Sequence, residues 1–399
     1  MKSKFSRTRR TVIFSGWLPS SRKADVESRI NEACSDRHYV EWRVPQSEER
    51  SQVPVQLQNP RILAPFELLV SNFATPEYGS IDPTPLVAVT YLAMFGLMFG
   101  DAGHGMVLIA SGIIGSAFSK TGGNVQKLFK LLVWCGSAAV VAGILFGSYF
   151  GMQWMPPLWF DYHGIVSGHG GGEFVNTIYD VLAITVYFGV AVISLGLALN
   201  WINLVNQRKW FDLIFDKAGV VAGVIFGVGY VVAAAFVRSG YSSLPDGQIL
   251  LVGLGIPVAA LGAKAPLQYL RDRNHGNAKP FHPLMLADFA MEWIVELLEI
   301  FSGYLANTLS FMRVAGLGIA HEALMIAFFE IAYMAGGGSI RLPSILILVV
   351  GNVLVIVLEG LSAGIQSLRL NYYEFFSKYF TSAGRVFRPV SLQSLIQKE

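Results

Sequence analysis

The stretch YDVLAITVYFGVAVISLGLALNWINL, residues 179–204, holds a single charge, Asp180, and no proline. As one helix it reaches about 39 Å, at about 1.5 Å per residue. The hydrocarbon core of a bilayer is about 30 Å thick and takes about 20 helical residues. A helix apolar on every side has no face to offer water, so this segment reads as a membrane span. Comparable apolar segments flank it at 86–118, 128–150, 217–237, 248–268, 290–335 and 343–377. Composition agrees: 53% of the 399 residues are hydrophobic and only 14% charged, against about 25% charged in an ordinary soluble domain. The fold class is therefore an all-α polytopic membrane protein.

The net charge of +3 says little as a total; its placement says more. The 119–130 loop holds Lys120, Lys127 and Lys130, while 151–178 holds no Lys or Arg. The 205–217 loop holds Arg208, Lys209 and Lys217, and 238–247 holds only Arg238. The 264–283 loop holds Lys264, Arg271, Arg273 and Lys279, and 336–342 holds only Arg341. Cytoplasmic loops carry the positive excess, so the sides alternate. The basic start MKSKFSRTRR has too short an apolar stretch after it for a signal-peptide core, and it belongs inside as well. Segment 86–118 must then cross twice or re-enter, as two short helices joined by GDAGHG (100–105). That gives about eight transmembrane helices with both termini cytoplasmic. Each of the four segments between 128 and 268 fits one span.

The last two segments are too long for simple spans. Residues 288–335 as one helix would reach about 70 Å and must tilt or project from the bilayer. Glycines at Gly143–Gly147–Gly151 and Gly219–Gly223–Gly227 have the spacing that lets helix backbones approach closely. Residues 1–84 are polar, with strand-like runs at 11–15 and 39–44 around a helix at 21–33. Such a small α/β segment is too thin to bury a core of its own. Cys34 and Cys135 suggest no disulfide framework and are expected as reduced thiols.

Two cations sit inside apolar segments: Arg313 in LSFMRVAGLGIAHEAL (309–324) and Arg369 in LEGLSAGIQSLRLNYYEFFSKYF (358–380). A guanidinium stays charged and costs about 2.5–3.5 kcal/mol to place in lipid, so it is kept where it meets a carboxylate or water. Arg369 lies near the polar tail and could equally snorkel to the surface; Arg313 lies mid-segment. Glu359, Ser362, Gln366 and Arg369 fall on one narrow helical face. That face reads as the wall of a water-filled cavity or, for Ser362 and Gln366, as a hydrogen-bonded helix contact. Asn307, Ser310, Arg313 and His321 share a broader face, with Glu322 just off it. His321 reads either as a proton relay or as a packing histidine. Glu292, Glu296 and Glu299 read as a solvated face.

GDAGHG lacks the Gly-Lys-Ser/Thr ending of a phosphate loop and reads as a tight helix-to-helix turn. Asp161, His163, His169 and Glu173 lack ligand-pair spacing, and a flexible loop is the better reading than a metal site. No nucleophile–base arrangement and no nucleotide motif stands out. No catalytic residue, cofactor or metal is expected.

In order along the chain, PFELLVSNFATPEYGSIDPTP (65–85), FGLMFGDAGHG (95–105), LSFMRVAGLGIAHEAL and LEGLSAGIQSLRLNYYEFFSKYF resemble the membrane half of the a/I subunit of V-type and archaeal-type rotary ATPases. The resemblance implies eight helices, the last two long, tilted and facing a rotor ring of small proteolipid (c/K) subunits. It implies that Arg313 is the family's essential arginine, Arg369 its second arginine, and Glu359 the acidic residue of the last helix. His321 matches a histidine found in some members; Glu359, Gln366 and His321 would line two ion half-channels. The subunit would couple proton or sodium translocation to rotation without catalysing ATP chemistry itself. Its implied partners are the rotor ring, a central-stalk subunit, peripheral-stalk subunits and the lipid bilayer, with no nucleic acid; its place is a prokaryotic plasma membrane. On this reading 1–84 is the remnant of a cytoplasmic stator domain, from a truncated or split subunit. Residues 85–384 form the ion-translocation domain and 385–399 a cytoplasmic tail.

Two other classes remain open: a secondary ion-coupled transporter, which predicts an inverted repeat not visible here, and a non-conducting assembly scaffold. The charge alternation makes a direct prediction. Cysteines replacing Ser167 and Gly337 label from outside, and those replacing Gln126, Gln207 and Asn277 only from the cytoplasm. Labelling of position 126 from outside would overturn the double crossing of 86–118.

Overall fold

The computed structural model describes residues 6–7, 12–13, 15–34, 37–46, 49, 52–119, 123–168, 175, 177–239, 247–274, 285–339, 341–382, 384–387 and 389. It is 75% helical with almost no sheet. The chain divides into two units: Met1–Gln58, Ala74–Ser80 and Thr381–Glu399 form the smaller, and Asn59–Phe73 and Ile81–Phe380 the larger.

In the smaller unit β1 (Ser6–Arg7) pairs antiparallel with β2 (Val12–Ile13), and β3 (Pro54–Val55) pairs parallel with β4 (Arg385–Val386). The helix expected at 21–33 is α1 (Lys23–Cys34), which buries none of its residues. The strand expected at 11–15 is seen as Val12–Ile13, with residues 11 and 14 outside the described ones. The strand expected at 39–44 does not form. Tyr39 and Val44 are exposed, and Trp42 instead carries the Lys23 ammonium 5.4 Å from its ring centre. A β-patterned run needs a partner edge and a face to bury, and no described strand supplies either.

The larger unit contains α2 (Ala64–Phe73), α3 (Thr84–Met98), α4 (Ala102–Phe118), α5 (Asn124–Phe146), α6 (Tyr162–Ser167), α7 (Ile178–Asn206), α8 (Trp210–Phe215) and α9 (Val220–Arg238). It continues with α10 (Gly247–Leu250), α11 (Ile256–Gly262), α12 (Lys264–Asn274), α13 (Met285–Ser310), α14 (Met312–Ala335), α15 (Leu342–Leu370) and α16 (Phe376–Tyr379). Among the described residues six helical stretches are long and apolar enough to cross a membrane: Asn124–Phe146, Ile178–Asn206, Trp210–Val237, Leu251–Arg271, Met285–Ala335 and Leu342–Tyr379. Two shorter apolar helices, α3 and α4, precede them.

The break between α3 and α4 is a staple as well as a turn. Asp101 caps α4 by accepting from His104 N–H at 2.8 Å, and its carboxylate is fully buried. It also accepts from Ser148 Oγ at 2.9 Å, Phe150 N–H at 3.0 Å and Gly151 N–H at 2.8 Å. The turn after α5 is thereby pinned to the start of α4. Phe150 sits at φ 53°, a left-handed conformation that costs energy in any residue with a β-carbon and lasts only where its surroundings enforce it. Further along, α4 and α5 cross so closely that a β-carbon on Gly105 would lie 2.8 Å from the Gly136 carbonyl oxygen.

Both proposed glycine seams are corrected. Of the first, only Gly143 lies in a helix; Gly147 ends α5 at φ 74° and Gly151 lies in the following turn at φ 70°. Of the second, Gly219 precedes α9, Gly223 meets the Trp201 ring, and Gly227 has no neighbour within 4 Å.

Residues 288–335 are not one straight helix. The Thr308 and Ser310 hydroxyls donate back to the Tyr304 and Ala306 carbonyls at 2.8 and 3.0 Å, a pattern that bends helices. The run breaks at the fully buried Phe311, two residues before Arg313. The last stretch is continuous over 38 residues but loosens into a π-helical turn at Asn371–Phe375, directly after Arg369. Two further expectations are revised. Residues 264–274 are helix rather than loop, and Glu296 is buried in an ion pair with Lys264 instead of solvated, whereas Glu292 and Glu299 are exposed.

The staple predicts that Asp101→Ala leaves three buried N–H groups and one hydroxyl without their acceptor. At about 1–3 kcal/mol for each orphaned group, with incomplete additivity, the loss is about 3–5 kcal/mol. Thermal unfolding of the detergent-solubilised chain should show the transition falling by many degrees, while Asp101→Asn, which keeps an oxygen acceptor, falls less.

Candidate functional site

Three helices carry the polar side chains of the interior. Arg313 sits in the first turn of α14; its Nη1 is buried and has no hydrogen-bond partner. Among the described residues no ion pair holds it. On the preceding turns of α13, Asn307 and Ser310 are half-buried. Two turns on, His321 and Glu322 are both buried.

The α15 face is partly as expected. Glu359, Ser362 and Gln366 are half-buried, and Arg369 is exposed at the end of the helix. Gln366 Oε1 is buried without a partner. Glu359 reaches across to α14 and hydrogen-bonds His321 Nδ1. The structure therefore joins His321 and Glu359 and leaves Arg313 free of both. Glu374, in the π-helical turn, lies within electrostatic reach of Arg313 and Arg369, and its Oε2 is buried and unpartnered.

Sequence reasoning named Glu322 but missed its partner His163, and missed His104 and Asn352. Glu322 Oε1 pairs with His163 Nδ1 at 3.0 Å. His163 stands on the short helix α6, which is held by buried Tyr162 and Ile165 beside Phe146 and Phe160. The segment around Asp161 and His163 is thus packed structure, and the flexible-loop reading is corrected there; His169 and Glu173 lie outside the described residues. His104, one turn into α4, donates from Nε2 to Asn352 Oδ1, 2.7 Å away. Its ring centre lies 5.4 Å from that of His321, the planes at 87°. A cavity with room for about one water lies among Leu97, Gly100, Phe146, Ser148, Tyr162, Gly318, His321 and Glu322. The available signals were the Asp and His of GDAGHG inside an apolar run and the lone Asn352 of α15.

These contacts make one polar route through an otherwise apolar bundle. It runs from half-exposed His163 through Glu322, past the one-water cavity, to His321 and Glu359. Imidazoles and carboxylates at such spacing can pass protons or hold a cation.

The sequence pattern of the V-type ATPase 116kDa subunit family matches residues 2–152 and 267–392, well over half of the chain. The chain belongs to that family. Asp101, His104, Arg313, His321, Asn352, Glu359 and Arg369 all fall in the matched stretches, and His163 falls outside them. The A-type ATP synthase subunit I of Methanocaldococcus jannaschii is 27% identical over 97% of this chain and 56% of its own length. Those of Pyrococcus abyssi and Archaeoglobus fulgidus are 27% and 29% identical over 96% and 95% of this chain, and 54% and 58% of their own lengths. The chain spans a little over half the length of these curated relatives. With its family and its six long apolar helices, it is an integral membrane protein.

The His163–Glu322 pair yields a measurable coupling. His163→Ala and Glu322→Gln should each lower the unfolding temperature of the purified chain. The double variant should lose less than the sum, by about 1–2 kcal/mol. Strict additivity would mean the two side chains do not support each other.

Proposed function

We propose that this chain is the ion-translocating stator part of a V-type or archaeal-type rotary ATPase. The observation that carries the reading is the half-buried Arg313, whose Nη1 is buried without a hydrogen-bond partner. Leaving a permanently charged group unpaired in an apolar bundle is costly, and a carboxylate brought by another chain would relieve it. On this reading each subunit of a rotor ring of small proteolipids carries a membrane-embedded carboxylate. It is neutral while loaded with a proton or sodium ion and facing lipid. Arriving at Arg313 it forms an ion pair and gives its ion to one half-channel; leaving, it reloads from the other. The positive charge of Arg313 also bars ions from leaking directly between the channels.

The route from His163 through Glu322 and His321 to Glu359 supports one half-channel. Asn307, Ser362, Gln366 and Arg369 supply the polar surroundings of the rotor-facing side, with Glu374 between the two arginines. The helices α3 and α4 supplement the six long ones to give eight spans, the last two tilted, with both termini on the cytoplasmic side of a plasma membrane. ATP chemistry belongs to other subunits.

The test is ion pumping into sealed vesicles by the assembled complex, with subunit content checked on gels. Arg313→Ala should leave assembly intact and abolish pumping. Arg313→Lys should also fail largely, because an ammonium lacks the planar fork and loses its proton readily when desolvated. Glu359→Gln should slow transport without ending it. A fully assembled Arg313→Ala complex that pumps near the wild-type rate would return the scaffold reading to first place.

A further inference from the structure

We infer that Asp101, His104 and His321 form a buried binding site for a divalent transition metal of the Zn2+ class. The three residues each offer a ligand atom, all within 4.8 Å of one another, and all three side chains are buried. Two independent features point at a cation. His104 Nδ1 and His321 Nε2 are both buried with no hydrogen-bond partner. The opposite nitrogen of each ring is already committed. Asn352 gives its amide N–H to the Leu348 carbonyl at 2.8 Å, which turns its oxygen toward His104 Nε2 and places the proton on that nitrogen. The Glu359 carboxylate accepts from His321 Nδ1 and does the same there. In the neutral ring, a proton on the outer nitrogen leaves the inward nitrogen a lone pair. The two unpartnered nitrogens converge beside the Asp101 carboxylate.

The arrangement matches what transition-metal sites require. Ligating histidines hold their outer N–H against a carbonyl or carboxylate, which fixes tautomer and orientation, and ligating carboxylates are themselves hydrogen-bonded. Asn352 and Glu359 fill the first role, and the four hydrogen bonds to Asp101 the second. Two imidazoles bound at about 2.0–2.1 Å to one tetrahedral ion have ring centres roughly 5 Å apart; His104 and His321 stand at 5.4 Å. Asp101 Oδ1 lies 3.7 Å from His104 Nδ1, close to the roughly 3.3–3.5 Å between neighbouring ligands of such a site. Closing the rest takes side-chain movements of about 1 Å. The one-water cavity beside Gly100, Ser148 and His321 supplies the fourth position. Nitrogen-rich ligation selects Zn2+, Co2+ or Cu2+ over Mg2+ and Ca2+, which prefer oxygen. A bound ion would clasp α4 to α14 and, through Asn352 and Glu359, both to α15.

The test uses the purified full chain in detergent, stripped with a chelator and titrated with Zn2+ alone or Co2+ alone. Uptake of one ion per chain is expected, with the intense visible bands of four-coordinate Co2+ displaced by Zn2+. His104→Ala and His321→Ala should each weaken binding more than 100-fold, and Asn352→Leu about 10–100-fold, the range seen for outer partners. Glu299→Gln, in an exposed ion pair with Lys217 outside the site, should bind as wild type. The assignment fails if the wild-type chain takes up no stoichiometric metal. It also fails if Co2+ shows only six-coordinate bands, or if both histidine variants bind undiminished. The wild-type Co2+ spectrum decides the matter even where a variant does not fold. Pumping is not the readout, so the result stands apart from the function proposed above.

Discussion

The buried carboxylate of Asp101 is the constraint on which the interior depends. A charge with no exposure to water is tolerable only when it is hydrogen-bonded, and here four donors bond to it. Satisfying Asp101 fixes where α4 begins, holds the turn after α5 in an otherwise unfavourable backbone conformation, and sets the azimuth of His104 one turn later. From His104 the geometry passes to Asn352 of α15 and to the ring of His321 on α14. Four segments far apart in sequence are therefore located by one hydrogen-bonded centre.

The two long helices are interrupted beside their arginines. A one-residue break at Phe311, preceded by hydroxyls bonding back to carbonyls, interrupts the first before Arg313, and a π-helical turn loosens the second just after Arg369. Either irregularity changes the facing of every residue beyond it relative to an ideal helix, and π turns recur at functional positions for that reason. Arg313 and Glu374 stand within electrostatic reach of one another although they belong to different helical segments. Phe311, fully buried against Gly189 of α7, sits at the break.

How legible this was in the sequence follows from how local each signal is. The apolar helices declared themselves because solvation by lipid acts on each segment separately, and 179–204 became α7 almost residue for residue. Glu359 and His321 were also found, since a polar group on an apolar helix stands out wherever its partner comes from. Partnerships themselves were not readable. Glu296 looked solvated from its own helix, and only Lys264, 32 residues earlier, shows that it is buried in an ion pair. The Gly143–Gly147–Gly151 spacing assumed a helix that ends at Phe146, where left-handed backbone replaces the expected seam. Asp101 looked like a turn residue because three of its four donors lie 47 to 50 positions away.

The contrast among the buried charges is the last step. Asp101 has its four donors, Glu296 has Lys264, Glu322 has His163, and His321 has Glu359. Each obeys the rule that charge leaves water only in company. Arg313 departs from it, with Nη1 buried and unpartnered, and so does Glu374, whose Oε2 is unpartnered nearby. An arginine cannot neutralise itself by shedding a proton, so a chain that satisfies its other interior charges this thoroughly gains nothing in stability by leaving this one open. A stabilising role would have been met by moving a carboxylate one helical turn closer. On the function proposed above, an unpartnered Nη1 suits a counter-charge that comes and goes, since a permanent partner would compete with it.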